Sequence, residues 1–357
     1  MISTKIAPSR FHVMDILLVF VPVSIILYYL NASPVLTFFI TGAAIIGISH
    51  VIIESTGVIA QRVSTTASAL LNATFGNAFE FLIAIFSLRQ GLVDLVKYSM
   101  IGSIVINVLL LVGLSMCFGG FRYKEQRFNK ESAGLSSTML IIVIAGLALP
   151  SVYSMLQDKP ATSMSLAVSV VLGVVYLLSL LYTLVTHKHL FLVERATPSA
   201  TEHRAWPLPT TILILLIAVG IGGFESYLLV NSITPLIAEM NITQRFAGVV
   251  LIAIMTNIPE HISAISFARR NNMTMSLEIG MSSALQIALF VIPALVLIST
   301  AVTGSTLDLV FGPFSLIALL ITAMIANYIS TDGICHWLEG VQLIAVYVLI
   351  AIAFYFI

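Results

Sequence analysis

The chain is poor in charge. Only 9% of its 357 residues are Asp, Glu, Lys or Arg, 59% are hydrophobic, and the mean hydropathy is +1.07. Soluble domains carry about 25% charged residues, so the deficit excludes an ordinary soluble globule and indicates an integral membrane protein. Neither sign dominates, with 16 basic and 16 acidic residues, and the excess positive field that nucleic acid requires is missing. Cysteine is scarce as well. Cys117 and Cys335 match no zinc or redox spacing and read as buried, inert thiols. His50, His261 and His336 are dispersed, and no His-Glu-x-x-His helix is present to support an intramembrane metal-dependent hydrolase. The first apolar run follows Lys5 and Arg10 without a small-residue cleavage site, so it reads as a retained span and not a signal peptide.

What the chain has in abundance is long apolar sequence. Runs of about 17 to 25 apolar residues are transmembrane candidates. Eleven are found, at roughly 13–30, 34–60, 67–88, 96–118, 135–156, 163–186, 209–231, 246–268, 276–300, 308–328 and 338–357. The expected fold is all-α, with one extra N-terminal helix (1–33), a first five-helix repeat (34–186), a linker (187–207) and a second five-helix repeat (208–357). The linker contains Pro198 and is rich in Ser and Thr. With eleven spans, one side holds Lys5, Arg10, Arg62, Arg122, Lys124, Arg127, Lys130, Lys188, Arg195, Arg204, Arg269 and Arg270. The other holds Arg89, Lys97, Lys159 and Arg245, twelve against four. The positive-inside rule then places the N-terminus and the linker in the cytoplasm and the C-terminus outside.

Inside this apolar sequence one short signal occurs twice. Asn77-Ala-Phe-Glu80 lies in the third span and Asn257-Ile-Pro-Glu260 in the eighth. An intramembrane carboxyl is costly and marks a functional site by default. Five spans separate the copies, an odd number that reverses direction, so the halves are expected to be inverted repeats. The copies continue downstream. Glu80 precedes Asn107 by 27 residues and Glu260 precedes Gln286 by 26, in Ile101-Gly-Ser-Ile-Val-Ile-Asn107 and Ile279-Gly-Met-Ser-Ser-Ala-Leu-Gln286. Upstream, Glu54 and Glu225 are again five spans apart. Asn and Glu at i and i+3 share a helix face. Gly76 and Pro259 are expected to break the two helices and free backbone carbonyls as oxygen ligands.

Two midplane carboxylates suit a divalent cation. Calcium takes 6–8 oxygens, and two carboxylates cancel its charge, whereas one Na⁺ would leave a negative charge uncompensated in low dielectric. Emptied, the couple repels itself and takes up protons instead. Ca²⁺ or protons, each excluding the other, gives antiport. Glu54 and Glu225 are candidate proton relays or gates. The same oxygens suit Mn²⁺ or Cd²⁺. A passive channel would instead want a ring of ligands along an open pore. No cofactor is indicated; the partners are the transported ions and the bilayer.

Leu71-Asn-Ala-Thr-Phe-Gly-Asn-Ala-Phe-Glu80 resembles the first signature of the Ca²⁺/H⁺ exchangers (cation/proton exchangers) of the calcium/cation antiporter superfamily. Ser283-Ala-Leu-Gln-Ile-Ala-Leu-Phe-Val291 is similar to their second, and Ser330-Thr-Asp-Gly-Ile-Cys-His-Trp-Leu-Glu-Gly340 to their C-terminal motif. The resemblance covers roughly residues 34–357. It implies the eleven-span antiporter fold, Ca²⁺ export or sequestration, and metal binding by Glu80 and Glu260. It also implies supporting roles for Asn77, Asn257, Ser103, Asn107, Ser283 and Gln286. One departure is Thr256-Asn-Ile-Pro-Glu-His261, where the family usually has Gly-Asn-Ala-Xaa-Glu-His; Pro before Glu resembles the Na⁺/Ca²⁺ branch. The long acidic helix of some relatives is also missing, with only Glu239 between the seventh and eighth spans.

Plainer readings stand beside these. Glu54 and Glu225 also fit helix-tying hydrogen bonds. Asn77, Asn257, Asn107 and Gln286 fit interhelical bridges. Ser103 and Ser283, with Gly102 and Ser282, fit close-packing positions. His261 invites a proton-carrier role, yet adjacent helical positions point about 100° apart, so a structural role fits equally. Glu278 and Glu339 read as acids opening their spans. The compact chain suggests a prokaryotic plasma membrane.

Overall fold

A computed structural model describes residues 13–186 and 206–357. The predicted linker at 187–207 lies almost wholly outside the described residues, as do Lys5, Arg10, Lys188, Arg195 and Arg204. Each predicted apolar run contains helix, although residues 308–312 of the tenth run do not form part of one. Eight helices among the described residues are long and apolar enough to cross a membrane: α2 (Pro34–Ala60), α5 (Val93–Gly120), α6 (Lys130–Gln157), α7 (Thr162–Thr186), α8 (Leu208–Met240), α9 (Gln244–Ala268), α10 (Met273–Thr303) and α12 (Trp337–Phe356). Two shorter apolar helices are α1 (Met14–Tyr29) and α11 (Pro313–Ile329). The third run is two helices, α3 (Thr65–Phe75) and α4 (Ala78–Arg89). Gln126–Arg127 (β1) and Ile334–Cys335 (β2) pair antiparallel, tying the α5–α6 and α11–α12 connections together.

Local chemistry sets these boundaries. Ser64, Asn129, Thr243 and Asn272 cap α3, α6, α9 and α10 by accepting first-turn backbone N–H groups. Asn31, Asp158, Asn241 and Asn271 end helices with positive φ, which short polar side chains tolerate. The expected break at Gly76 is present, with Asn77 out of helical geometry at φ −111° and ψ 26°. The expected break at Pro259 is not, because α9 runs through it. Irregularity in α9 lies upstream, as a widened π turn at Ala247–Ile252. Matching π turns occur at Ile106–Leu111 in α5 and Ile287–Val291 in α10. Such bulges often mark functional sites.

Two apolar clusters share the interior. One joins α2, α4 and α8 through Phe38, Ile45, Phe79, Ile83, Leu229 and Ile233. The other joins α5, α6, α7, α9, α10, α11 and α12. Helix α5 is its axis, with Ile101, Ile104, Val105, Ile106 and Leu109 fully buried. Two glycines let α5 close on its neighbours. A Cβ on Gly102 would lie 2.5 Å from the Val249 carbonyl oxygen of α9, and one on Gly280 of α10 would lie 2.7 Å from the Asn107 carbonyl oxygen.

Candidate cation site

Helices α4 and α9 bring their glutamates to one place. Glu80 occupies the first turn of α4, just past the Asn77 break, where a helix N-terminus favours negative charge. It is 4% exposed, and Glu260 Oε2 is also buried. Both line a cavity of about 10 Å³ with Ser49, Ile52, Ile53, Phe75, Gly76, Phe79 and Thr256. That is room for about one water-sized sphere.

The amides bond in two groups that each join helices of the two halves. Asn77 Nδ2 donates to Gln286 Oε1 at 2.7 Å, joining α4 to α10. Asn107 Nδ2 donates to Asn257 Oδ1 at 2.6 Å, joining α5 to α9. Asn107 also donates to Ser283 Oγ at 3.0 Å, and Asn257 Nδ2 donates to Ser103 Oγ at 3.1 Å. Ser103 and Ser283 therefore hydrogen-bond as well as pack. Asn257 Nδ2 further donates to the Ala253 carbonyl at 2.9 Å and to Thr256 Oγ1 at 3.1 Å. Thr256 Oγ1 lies 3.5 Å from the Ala253 carbonyl, to which it donates, and Thr256 lines the cavity with Glu80.

Three buried atoms at this centre have no hydrogen-bond partner: Glu260 Oε2, Asn107 Oδ1 and His261 Nε2. His261 Nδ1 lies 2.7 Å from the Asn257 carbonyl. A carbonyl only accepts, so Nδ1 carries a proton and the neutral ring presents Nε2 as a lone pair. Of these, only Glu260 Oε2 belongs to a residue that lines the cavity.

Other predicted residues lie elsewhere. Glu225 is fully buried on α8 and within 2.8 and 2.9 Å of Ser24 Oγ on α1. Glu54 is half-buried on α2. Neither lines the central cavity. Glu278 does not open its helix, because the Asn272 cap starts α10 at Met273 and puts Glu278 in the second turn. There it accepts from Ser132 Oγ at 2.9 Å and lines a cavity of about 560 Å³ that also reaches Asn72, Tyr176, Ser282 and Gln286. Glu339 does open α12. Sequence reasoning passed over Ser49 and Ser24; neither is in a motif, and only the packing of α2 and α1 brings them in. Thr256 was visible only as a departure from a family pattern. Cys117 and Cys335 are free and buried. In its short strand, burial pushes the Cys335 thiol up to about 12, and the charges of Glu339 and Asp332 reinforce the shift.

Apolar helices packed around a paired-carboxylate cavity define an integral membrane protein of the ion-exchanger fold. The sodium/calcium exchanger protein family matches residues 33–185 and 210–356, and the chain belongs to that family. The resemblance drawn from Leu71 to Glu80 is borne out. The Ca²⁺/H⁺ antiporter of Aphanothece halophytica is 37% identical over 359 residues, covering 95% of each chain. The Ca²⁺/H⁺ antiporter ChaA of Bacillus subtilis is 33% identical, covering 94% of this chain and 96% of that one. The solved structure of native YfkE superposes with a TM-score of 0.82 at 30% identity, covering 97% of this chain and 100% of that one. These named relatives are antiporters, not enzymes.

Proposed function

We propose that this chain is a secondary antiporter that exchanges Ca²⁺ for H⁺, with both competing for Glu80 and Glu260. One observation carries the proposal: two acidic side chains from opposite halves of the chain line one small cavity. Ca²⁺ neutralises both carboxylates, and protons neutralise them when it leaves. An empty, ionised couple in low dielectric is the costly state, so exchange without leak follows from avoiding it. Ser49 and Thr256, which line the same cavity, are candidate further oxygen ligands. Mn²⁺ and Cd²⁺ are candidate alternative cargo, and no resident cofactor is invoked.

Eleven spans with inverted five-helix repeats are part of the same proposal, with the domain limits 1–33, 34–186, 187–207 and 208–357. The amide bonds support it. Asn77 of one repeat bonds Gln286 of the other, and Asn257 bonds Asn107; an inverted two-fold that pairs Asn77 with Asn257 and Asn107 with Gln286 exchanges the two bonds. Alternating access is the corresponding motion. The 560 Å³ cavity ending at Gln286 is the proposed route from the cytoplasmic side of a plasma membrane, with the N-terminus cytoplasmic and the C-terminus external. Glu54 and Glu225 keep a relay or gating role only at a distance from the centre.

Thr256 supplies a hydroxyl at the couple and favours one second reading, Na⁺ coupling. Flux of ⁴⁵Ca²⁺ into proteoliposomes decides between them. A pH gradient without Na⁺ is expected to drive uptake, and Glu80→Gln or Glu260→Gln to abolish it. Uptake driven only by a Na⁺ gradient establishes the second reading, and uptake undiminished in Glu80→Gln removes both.

A further inference from the structure

The cavity of about 560 Å³ carries an acid that the central couple does not explain. Glu278, Ser282 and Gln286 stand at i, i+4 and i+8 of α10, so they form one stripe along a helix face, and all three line the cavity. At a rise of 1.5 Å per residue the stripe covers about 12 Å of helix axis. Its inner end reaches the central site, because Gln286 Oε1 accepts from Asn77 at 2.7 Å. The other walls repeat the spacing, with Ser132 and Ser136 on α6 and Ser179 and Thr183 on α7. Between these oxygens the lining is apolar, with Leu135, Met139, Leu180 and Leu285 among it.

Glu278 has no opposite charge to balance it. No Lys, Arg or His among the described residues lines the cavity, and no cationic side chain among them pairs with Glu278. Ser132 Oγ donates to its Oε1 at 2.9 Å. A carboxylate accepts through two oxygens and about four lone-pair sites, so most of its capacity is left. Space adjoins it as well. Glu278, Ser132 and Ser136 also line a void of about 10 Å³ with Asn129 and Thr274, room for about one water-sized sphere. A second group in the large cavity is unsatisfied. Tyr176 is 7% exposed and lines it, and its buried hydroxyl has no hydrogen-bond partner. Buried hydroxyls are normally bonded, to protein or to water.

We propose that Glu278 captures a hydrated divalent cation on its way to Glu80 and Glu260, a role that rests on the antiport reading of the central couple. A carboxylate between low-dielectric walls focuses its field into the cavity and raises the local cation concentration. One carboxylate cancels half the charge of Ca²⁺, so the ion keeps much of its water and is held loosely enough to leave. The hydroxyl rows replace water step by step, since Ca²⁺ accepts hydroxyl, carbonyl and carboxylate oxygens in a flexible shell. Ser282 and then Gln286 lead inward to two carboxylates, which cancel the whole charge. The ion therefore moves from a weaker site to a stronger one.

Two measurements test the capture site, and the first does not depend on transport. Tb³⁺ binds the oxygen sites that Ca²⁺ binds and emits when a nearby tyrosine is excited, and Tyr176 and Tyr182 line the cavity. In the purified full chain carrying Glu80→Gln/Glu260→Gln, Tb³⁺ is expected to give saturable emission that Ca²⁺ displaces. Adding Glu278→Gln is expected to abolish it, and adding Glu278→Asp to keep part of it. Should those multiple variants not purify, Glu278→Gln alone is expected to remove one of two phases from the wild-type Tb³⁺ titration. The second measurement is sided. With Ca²⁺ offered to the cytoplasmic face of inside-out vesicles, Glu278→Gln is expected to raise KM about tenfold, the low end for field focusing by one charge, with little change in maximal rate. Offered to the opposite face in right-side-out vesicles, Ca²⁺ is expected to show its wild-type KM. The proposal is overturned by Tb³⁺ emission indifferent to Glu278→Gln, by a wild-type KM at the cytoplasmic face, or by a KM raised equally at both faces. Absence of pH-driven Ca²⁺ uptake by wild type removes the antiport reading instead, and the Tb³⁺ titration then decides alone whether Glu278 holds a cation.

Discussion

Glu80 and Glu260 are costly where they sit, and their neighbours define what makes the position tolerable. Thr256 lines the cavity beside Glu80, and its hydroxyl oxygen accepts from Asn257. Replacing it by Val keeps the shape and removes the hydroxyl, so Thr256→Val is expected to weaken Ca²⁺ uptake about tenfold, with Thr256→Ser close to wild type. Concentration-dependent ⁴⁵Ca²⁺ uptake checks this, and a wild-type Thr256→Val contradicts it. Asn257 presents a sharper case. Its truncation to Ala leaves the buried Asn107 amide without its 2.6 Å partner, a loss of about 1–3 kcal/mol read as a lower melting temperature in detergent. At this scale the sequence showed the acids and amides, because charge inside apolar runs is conspicuous. It hid Ser49 and Ser24, since serines in a membrane helix carry no such contrast and acquire meaning only from the helix packed against them.

The helices show which physical signals are decisive. The third span breaks after Gly76, where Asn77 leaves helical geometry and is held by its bond to Gln286. Pro259 lacks an N–H, yet α9 continues through it, and the irregular turn of that helix lies upstream at Ala247–Ile252. Periodicity and breakers therefore gave the elements well, while the wide turns in α5, α9 and α10 were not legible from residue type. Gly102 makes the α5–α9 approach possible, so Gly102→Val is expected to cost at least the ~1–3 kcal/mol of an overpacked core, with lost assembly visible by size-exclusion chromatography. On the proposed cytoplasmic route, Ser282 is exposed and lines the 560 Å³ cavity. Ser282→Cys is expected to react with a membrane-impermeant maleimide in inside-out vesicles and not in right-side-out ones. The native background is low, since Cys117 and Cys335 are buried and Cys335, held near 12, stays protonated at the labelling pH of about 7–8.

Across the whole molecule, two apolar bodies meet at α4 and α9, and the acidic cavity lies where they meet. A junction of that kind can open to either side by movement of one body against the other. Coupling then needs no separate device, because metal binding to carboxylates releases the protons they held. The proposed competition fixes the sign: as pH falls, protons are expected to occupy the couple and apparent Ca²⁺ affinity to fall, by about ten- to hundredfold per pH unit for one or two displaced protons. The most direct measurement is proton release when Ca²⁺ is added to the purified protein in weakly buffered detergent at a pH where the couple is protonated. Mutually exclusive occupancy predicts one to two protons released per bound Ca²⁺ in wild type and none in the double variant Glu80→Gln/Glu260→Gln. Ca²⁺ binding at full affinity with no proton release from wild type would contradict it.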